Sequence, residues 1–313
     1  MLETPLTNLL AGVAKAPKLK AATFCAALDG LRGTMKSLLG ATVLLGCVGA
    51  SFGDGLPAKL KVVTARDGEV TRVMVRNSET MDMTATIEVG MVSMKSSVPL
   101  PCTLTVPAGK TVEAFQLTPS GPNWSFNYTN NYTVGACDVK HDDSVLYSLP
   151  YVAGSSFKVT QGYHGTFSHT GPDEFATDWK MPVGTPVLAA REGVVVSVKD
   201  QFEKGGANRK FEDCANMIVI QHTDGTMAHY CHLSPRSAKV HLGQKVRAGD
   251  LIAASGNTGF TSGPHLHFAV FKARNGYGRE TIPVKFRTAE GDGMTLVSGN
   301  TYRARDAAVM AKN

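Results

Sequence analysis

The sequence predicts a mainly β protein built from two modules, an N-terminal β-sandwich of immunoglobulin type followed by a second body of short strands. Three observations carry that expectation. The 313 residues include 32 glycines and 15 prolines, which punctuate a chain with many turns. Runs of β-formers are short and bounded by turn residues. No stretch shows the period of a strong amphipathic helix. The length suits two domains of about 150 residues each. At 43% hydrophobic and 19% charged residues, wholesale disorder is excluded.

The first element, residues 1–50, reads as a leader. Lys36 precedes the apolar run Ser37-Leu38-Leu39-Gly40-Ala41-Thr42-Val43-Leu44-Leu45, which ends in Gly46-Cys47. A cation, a short apolar run and then small residues form the layout of a secretory signal, and the run is shorter than the ~20 apolar residues of a membrane span. Two processing readings stand. Leu44-Leu45-Gly46-Cys47 resembles a lipoprotein signal with Cys47 as the lipid anchor, and Val48-Gly49-Ala50 resembles an ordinary cleavage site before Ser51. Met35 offers a more typical start than Met1. Half of the formal charge of +6 lies here, where Lys15, Lys18, Lys20, Arg32 and Lys36 face only Glu3 and Asp29. There is no dense Lys/Arg run with interleaved aromatics, so nucleic acid is not an expected partner.

Residues 59–140 form the expected sandwich. Lys61-Val62-Val63-Thr64, the segment from Val70 to Val75, the segment from Met83 to Val89 and the segment from Thr111 to Phe115 read as strands, with turns at Asp67-Gly68, Asn77-Ser78 and Pro107-Ala108-Gly109. The aromatics Trp124, Phe126 and Tyr128 fit a sandwich core better than a glycan-binding face. Residues 141–156 read as a linker, 157–286 as the second body, and 287–313 as a polar, loosely attached tail. Strands are expected near Val194 to Val198, Met217 to His222, Met227 to His232 and Leu266 to Phe271. Export suits disulfides. Cys102–Cys137 is the expected pair. Cys214–Cys231 is less favoured, because a hairpin at Asp224-Gly225 would set Cys231 opposite about residue 218.

The second body carries the chemistry. Eight of the nine histidines lie between His164 and His267. Residues two apart on a strand share a face, so His265 and His267 reach one site. By the same rule Tyr230 and His232 share a face, and His229 should point away from them. Zinc takes histidine nitrogens and carboxylate oxygens, and a catalytic site combines three such ligands with an open position. His169, Asp178 and His267 would supply that set. His222 reads as structural and His241 as a surface residue, while His164 is a weak candidate for the groove.

Four blocks then resemble the lysostaphin/LytM-type zinc endopeptidases of peptidoglycan: Phe167-Ser168-His169, the segment from Asp178 through Gly184-Thr185-Pro186-Val187, Tyr230-Cys231-His232-Leu233-Ser234, and the segment from Ser255 to Gly263-Pro264-His265-Leu266-His267-Phe268. They occur in the family's order. The resemblance implies a mainly antiparallel β-fold with a narrow groove, the duplicated hybrid motif. It implies one zinc ion held by His169, Asp178 and His267, with His232 and His265 as the catalytic pair. The family's first motif spaces His and Asp four apart, and His169 to Asp173 meets that spacing literally. Asp178, six residues before Gly184, matches the downstream block, so Asp178 is the expected ligand and Asp173 the expected occupant of a solvated turn.

The expected function is hydrolysis of peptide cross-links in bacterial peptidoglycan, with zinc polarising the scissile carbonyl, His265 taking a proton and His232 orienting the water or stabilising the oxyanion. The partners are peptide stems of the wall and a candidate regulatory protein, with membrane contact only through a lipid anchor at Cys47. The expected location is the periplasm or cell envelope. The alternatives are a non-catalytic wall-binding or hydrolase-activating protein and a secreted bacteriolysin.

Overall fold

The computed structural model describes residues 60–305. The expected leader, with Cys25 and Cys47, and residues 306–313 lie outside the described residues. The first strands are β1 Leu60–Asp67, β2 Val70–Asn77, β3 Met83–Val92, β4 Met94–Ser96, β5 Cys102–Val106, β6 Thr111–Pro119 and β7 Ser125–Val134. Among the described residues they form one sheet ordered β1-β2-β6-β4 and another ordered β5-β3-β7. The Asp67-Gly68 turn closes the first hairpin, with Gly68 at φ 60° and Asp67 paired to Val70. Period-2 alternation then buries Val73 and Val75 of one sheet in the same cluster as Met83, Ala85 and Ile87 of the other. Trp124, Phe126 and Tyr128 pack partly buried against that cluster, as their composition predicts.

The expected disulfides are absent: neither Cys102 and Cys137 nor Cys214 and Cys231 are joined. The register explains the first pair. Cys102 lies opposite Ile87 at one end of β5, whereas Cys137 Sγ sits 3.5 Å from Thr105 Oγ1 near the other end. Three residues of strand span about 10 Å, beyond disulfide reach. Cys231 lies opposite Met217, three residues beyond Cys214.

The second body adds β8 Leu146–Ser148, β9 Ser156–Gln161, β10 Thr177–Lys180, β11 Pro186–Leu188, β12 Gly193–Lys199, β13 Gly205–Gly206, β14 Met217–Gln221, β15 Met227–Cys231, β16 Lys245–Val246, β17 Leu251–Ala254, β18 Gly259–Phe260, β19 His265–Asn275, β20 Gly278–Ile282, β21 Lys285–Arg287 and β22 Thr301–Arg303. The main sheet runs β16-β12-β14-β15-β19-β10-β9-β22, and β20 joins β19 farther along the edge that β10 uses.

Two expected boundaries change. The segment 141–156 is part of the core rather than a linker. Val145, Tyr147, Leu149 and Tyr151 alternate, β8 pairs in parallel with β21, and Tyr147, Leu149 and Tyr151 are buried. The segment after Arg287 is likewise held in place: β22 pairs with β9, and Leu296, Tyr302 and Ala304 are buried. Both segments look polar on average, but their apolar residues fall on one face and find partners far away in sequence.

The two faces of the main sheet are used differently. On one, Ile218, Ile220, Tyr230, Leu266, Phe268 and Trp179 build a core closed by the small strands. On the other, Val196, Val219, Met227 and Phe271 belong to the same apolar cluster as the sandwich. The sandwich thus covers one end of this second face, while the other end carries histidines and stays open.

Candidate metal centre

The open end is a groove of about 1200 Å³, lined by His229, His232, His265, His267 and Asp178 among others. Strand β10 runs antiparallel to β19 with Asp178 opposite His267 and Lys180 opposite His265. Alternation sends Leu266, Phe268 and Trp179 into the core, so the residues between them face the groove. This geometry brings together His169, Asp178 and His267. Asp178 Oδ1 lies 2.8 Å from His267 Nδ1, and Asp178 Oδ2 lies 3.2 Å from His169 Nε2.

His169 Nδ1 lies 2.9 Å from the carbonyl oxygen of Gly162. A carbonyl only accepts, so the proton belongs on Nδ1 and the Nε2 lone pair faces Asp178. That Nε2 is buried and makes no hydrogen bond among the described residues, despite its proximity to the carboxylate. The two groups therefore converge on a shared point rather than bond to each other. All three donor atoms lie within 4.8 Å of one another. Two imidazoles and one carboxylate, with an orphaned buried nitrogen among them, fit a zinc ion. Burial alone would raise the Asp178 carboxyl, but the His267 ring at 2.8 Å outweighs it and holds the carboxyl well below the usual carboxylate range. Gln161 fixes this carboxylate. Its Nε2 donates to Asp178 Oδ2 at 3.0 Å and to Ser168 Oγ at 2.8 Å, and its Oε1 accepts from the Phe167 and Ser168 amides.

His265 and His232 stand beside the triad, with ring centroids 4.5 Å apart. His265 Nδ1 lies 2.8 Å from the Gly263 carbonyl oxygen, and His232 Nδ1 lies 2.7 Å from that of Thr258. Each ring thus keeps its proton on Nδ1 and an accepting Nε2. His265 Nε2 lies 3.9 Å from Asp178 Oδ1. Burial, then the neighbouring rings of His265 and His267, push His232 down to about 3, and burial also lowers His265. The loop that holds His232 needs Gly256, where an added Cβ would stand 2.5 Å from the Ser234 amide nitrogen and 2.6 Å from the Leu233 carbonyl carbon.

Two sequence expectations fail here. His229 does not point away from the site, since its ring centroid lies 5.1 Å from that of His267. Tyr230 instead faces the core, where its hydroxyl accepts from the Ala190 amide. The reason is local. Strand β15 ends at Cys231, and His232 adopts φ 63°, a left-handed conformation that turns its ring back into the groove and breaks the alternation. Asp173 also departs from its expected solvated turn. The turn exists, as a short 3₁₀ segment Gly171–Asp173, but the carboxylate accepts from Arg279 Nη2 at 2.8 Å. His164 pairs with Glu174 at 3.1 Å and does not line the groove, His222 donates from Nδ1 to the Glu192 carbonyl, and His241 is exposed. Gln161 and Arg279 carried no sequence signal, because their partners are remote.

Comparison with known proteins gives a consistent family. Residues 173–279 match Peptidase family M23. The chain is 44% identical over 135 residues to the peptidoglycan DD-endopeptidase ShyA of Vibrio cholerae, covering 41% of this chain and 28% of that protein. It is 32% identical over 149 residues to a glycyl-glycine endopeptidase of Staphylococcus capitis, covering 46% of this chain and 38% of that one. The catalytic domain of a prophage-encoded M23 protein from Enterococcus faecalis aligns at 25% identity over 43% of this chain and 93% of that one, with a TM-score of 0.33. The chain thus spans well under half the length of these two curated relatives.

Proposed function

Because residues 173–279 match Peptidase family M23, we propose that the chain is a zinc-dependent endopeptidase that hydrolyses peptide cross-links of bacterial peptidoglycan during wall remodelling. The observation that carries this reading is the convergence of His169 Nε2, Asp178 and His267 Nδ1 on one point of an open groove. The names of the relatives, a peptidoglycan DD-endopeptidase and a glycyl-glycine endopeptidase, support a peptide of the wall as substrate. The Lys36 and Leu38 to Leu45 pattern supports export to the periplasm or envelope, and Cys47 supports a lipid anchor.

His169, Asp178 and His267 would hold the ion. Zinc supplies Lewis-acid polarisation of a carbonyl and makes water more acidic. The chain's own residues supply the proton handling. His265 presents an accepting Nε2 beside Asp178, placed to take a proton from the attacking water and return it to the leaving amine. His232 presents an accepting Nε2 as well, which suits orienting the water. Oxyanion donation would need a proton on that nitrogen, which the neutral ring held by the Thr258 carbonyl lacks. Gln161 holds the Asp178 carboxylate in position through its donation to Oδ2.

Zymography against purified wall, with and without chelator, tests the reading. Chelator-sensitive clearing is expected from the native chain, and none from His265→Ala or His232→Ala, both of which should keep bound zinc. Undiminished clearing by both variants would remove their assigned roles. A native chain that binds wall without clearing it would instead mark a non-catalytic wall protein.

A further inference from the structure

A second set of donors overlaps the first. One ligand atom each from Asp173, His229 and His267 lies within 4.8 Å of the others. We propose that these three residues form a second cation pocket, which the chain fills with its own Arg279 guanidinium, so that the site accepts a single metal ion. The inference rests on the metal-binding reading above.

The guanidinium occupies the pocket through both arms of its fork. Nη2 donates to Asp173 Oδ1 at 2.8 Å, and Nη1 lies 3.3 Å from His229 Nδ1. An arginine N–H only donates, so His229 Nδ1 is the acceptor and the imidazole proton sits on Nε2. That Nε2 is buried and makes no hydrogen bond among the described residues. A histidine only 2% exposed would ordinarily use both nitrogens structurally. Here one is committed to a cation that a carboxylate also grips, which is the way a carboxylate and an imidazole grip a metal. The side chain is delivered from β20, and its guanidinium lies 5.1 Å from the Phe271 ring centroid, so stacking holds the fork in place. A salt bridge serving only to tie the Gly171–Asp173 turn to β20 would have no need of an imidazole acceptor. The pocket's shared member, His267, is also the ligand that faces Asp178. A fixed monovalent cation held by Asp173 and His229 would oppose a second divalent ion there by charge repulsion.

The test is metal stoichiometry of the full chain after zinc saturation and desalting, read by elemental analysis and, with cobalt(II) as the probe, by visible absorption. The wild type should hold one ion. Arg279→Met should hold two, the second ion displacing the remaining His267 ring proton to solvent, a doubling that appears as a second step in the cobalt titration. Arg279→Lys, which keeps a cation, should hold one, and Arg279→Met combined with Asp173→Asn should return to one. Should Arg279→Met not fold, Arg279→Gln, which keeps a donor without the charge, is read the same way. Two ions in the wild type, or one ion in the uncharged variants, would overturn the pocket while leaving the metallopeptidase reading intact. A wild type that binds no ion would overturn that reading and this inference together.

Discussion

The two ends of one sheet face behave as different materials. At one end of β15 and β19, Met227 and Phe271 are buried in the apolar cluster shared with the sandwich. At the other end of the same strands, His229 and His267 face an open groove. The backbone is continuous and the pleat unchanged, so the difference lies in the side chains and in what covers them. It separates roles by position: substitutions at the covered end should act on stability, and those at the open end on metal and chemistry.

The largest test of that separation is Asp178→Ala. It should abolish stoichiometric metal binding and lower chelator-sensitive hydrolysis by roughly a thousand-fold or more, with little change in the unfolding midpoint of the metal-free protein. Asp173→Ala should keep the first ion, so full retention of zinc by Asp178→Ala would reverse the assignment of the carboxylate. At the covered end, Met227→Ala leaves a cavity under the sandwich and should cost about 2–5 kcal/mol in a urea melt. Metal content should stay unchanged, and a loss of metal there would break the comparison.

A third test concerns pH. His222 is buried against Tyr147, donates from Nδ1 to Glu192, and is pushed down to about 4 by burial first, with a smaller contribution from Arg191. Its ring stays neutral in the fold while the unfolded chain binds a proton from about pH 6.5 downward. Its contribution is therefore fully present above about pH 6.5 and is lost as the pH falls toward 4, by up to roughly 3 kcal/mol. Stability measured across that window should fall steeply in the native chain and more gently in His222→Asn. Equal slopes would assign the acid sensitivity to other groups. The smallest effect is expected at Gln161→Ala, which removes the donor to Asp178 and should weaken zinc affinity by about 10–100-fold without emptying the site.

Much of the site was legible because period 2 is a strict rule within a strand. His265 and His267 share a face, and the family resemblance, matched through the six-residue step from Asp178 to Gly184, implied the carboxylate that lies opposite His267. His229 was misread because the same rule was carried one residue too far, past Cys231 into the left-handed turn at His232. Arg279 and Gln161 were invisible because each meets its partner across a fold that local pattern does not encode. The segments around Tyr147 and Tyr302 failed for a related reason. Their alternation was present, but their partners, β21 and β9, lie far along the chain, and average polarity hid the apolar row. The disulfides failed because cysteine count and compartment logic say nothing about where along β5 each thiol falls.

Strand β19 also solves a problem of phase. Were it to slip by one residue against β15 or β10, Leu266 and Phe268 would emerge into the groove and both histidines would be driven into the core. Phe271 lies four positions from His267, an even step, so one pleat orients both. The grip of the sandwich on Phe271 thus acts as a detent: it penalises the slipped alignment at a distance from the chemistry, and keeps the two imidazoles in step with Asp178 across the strand.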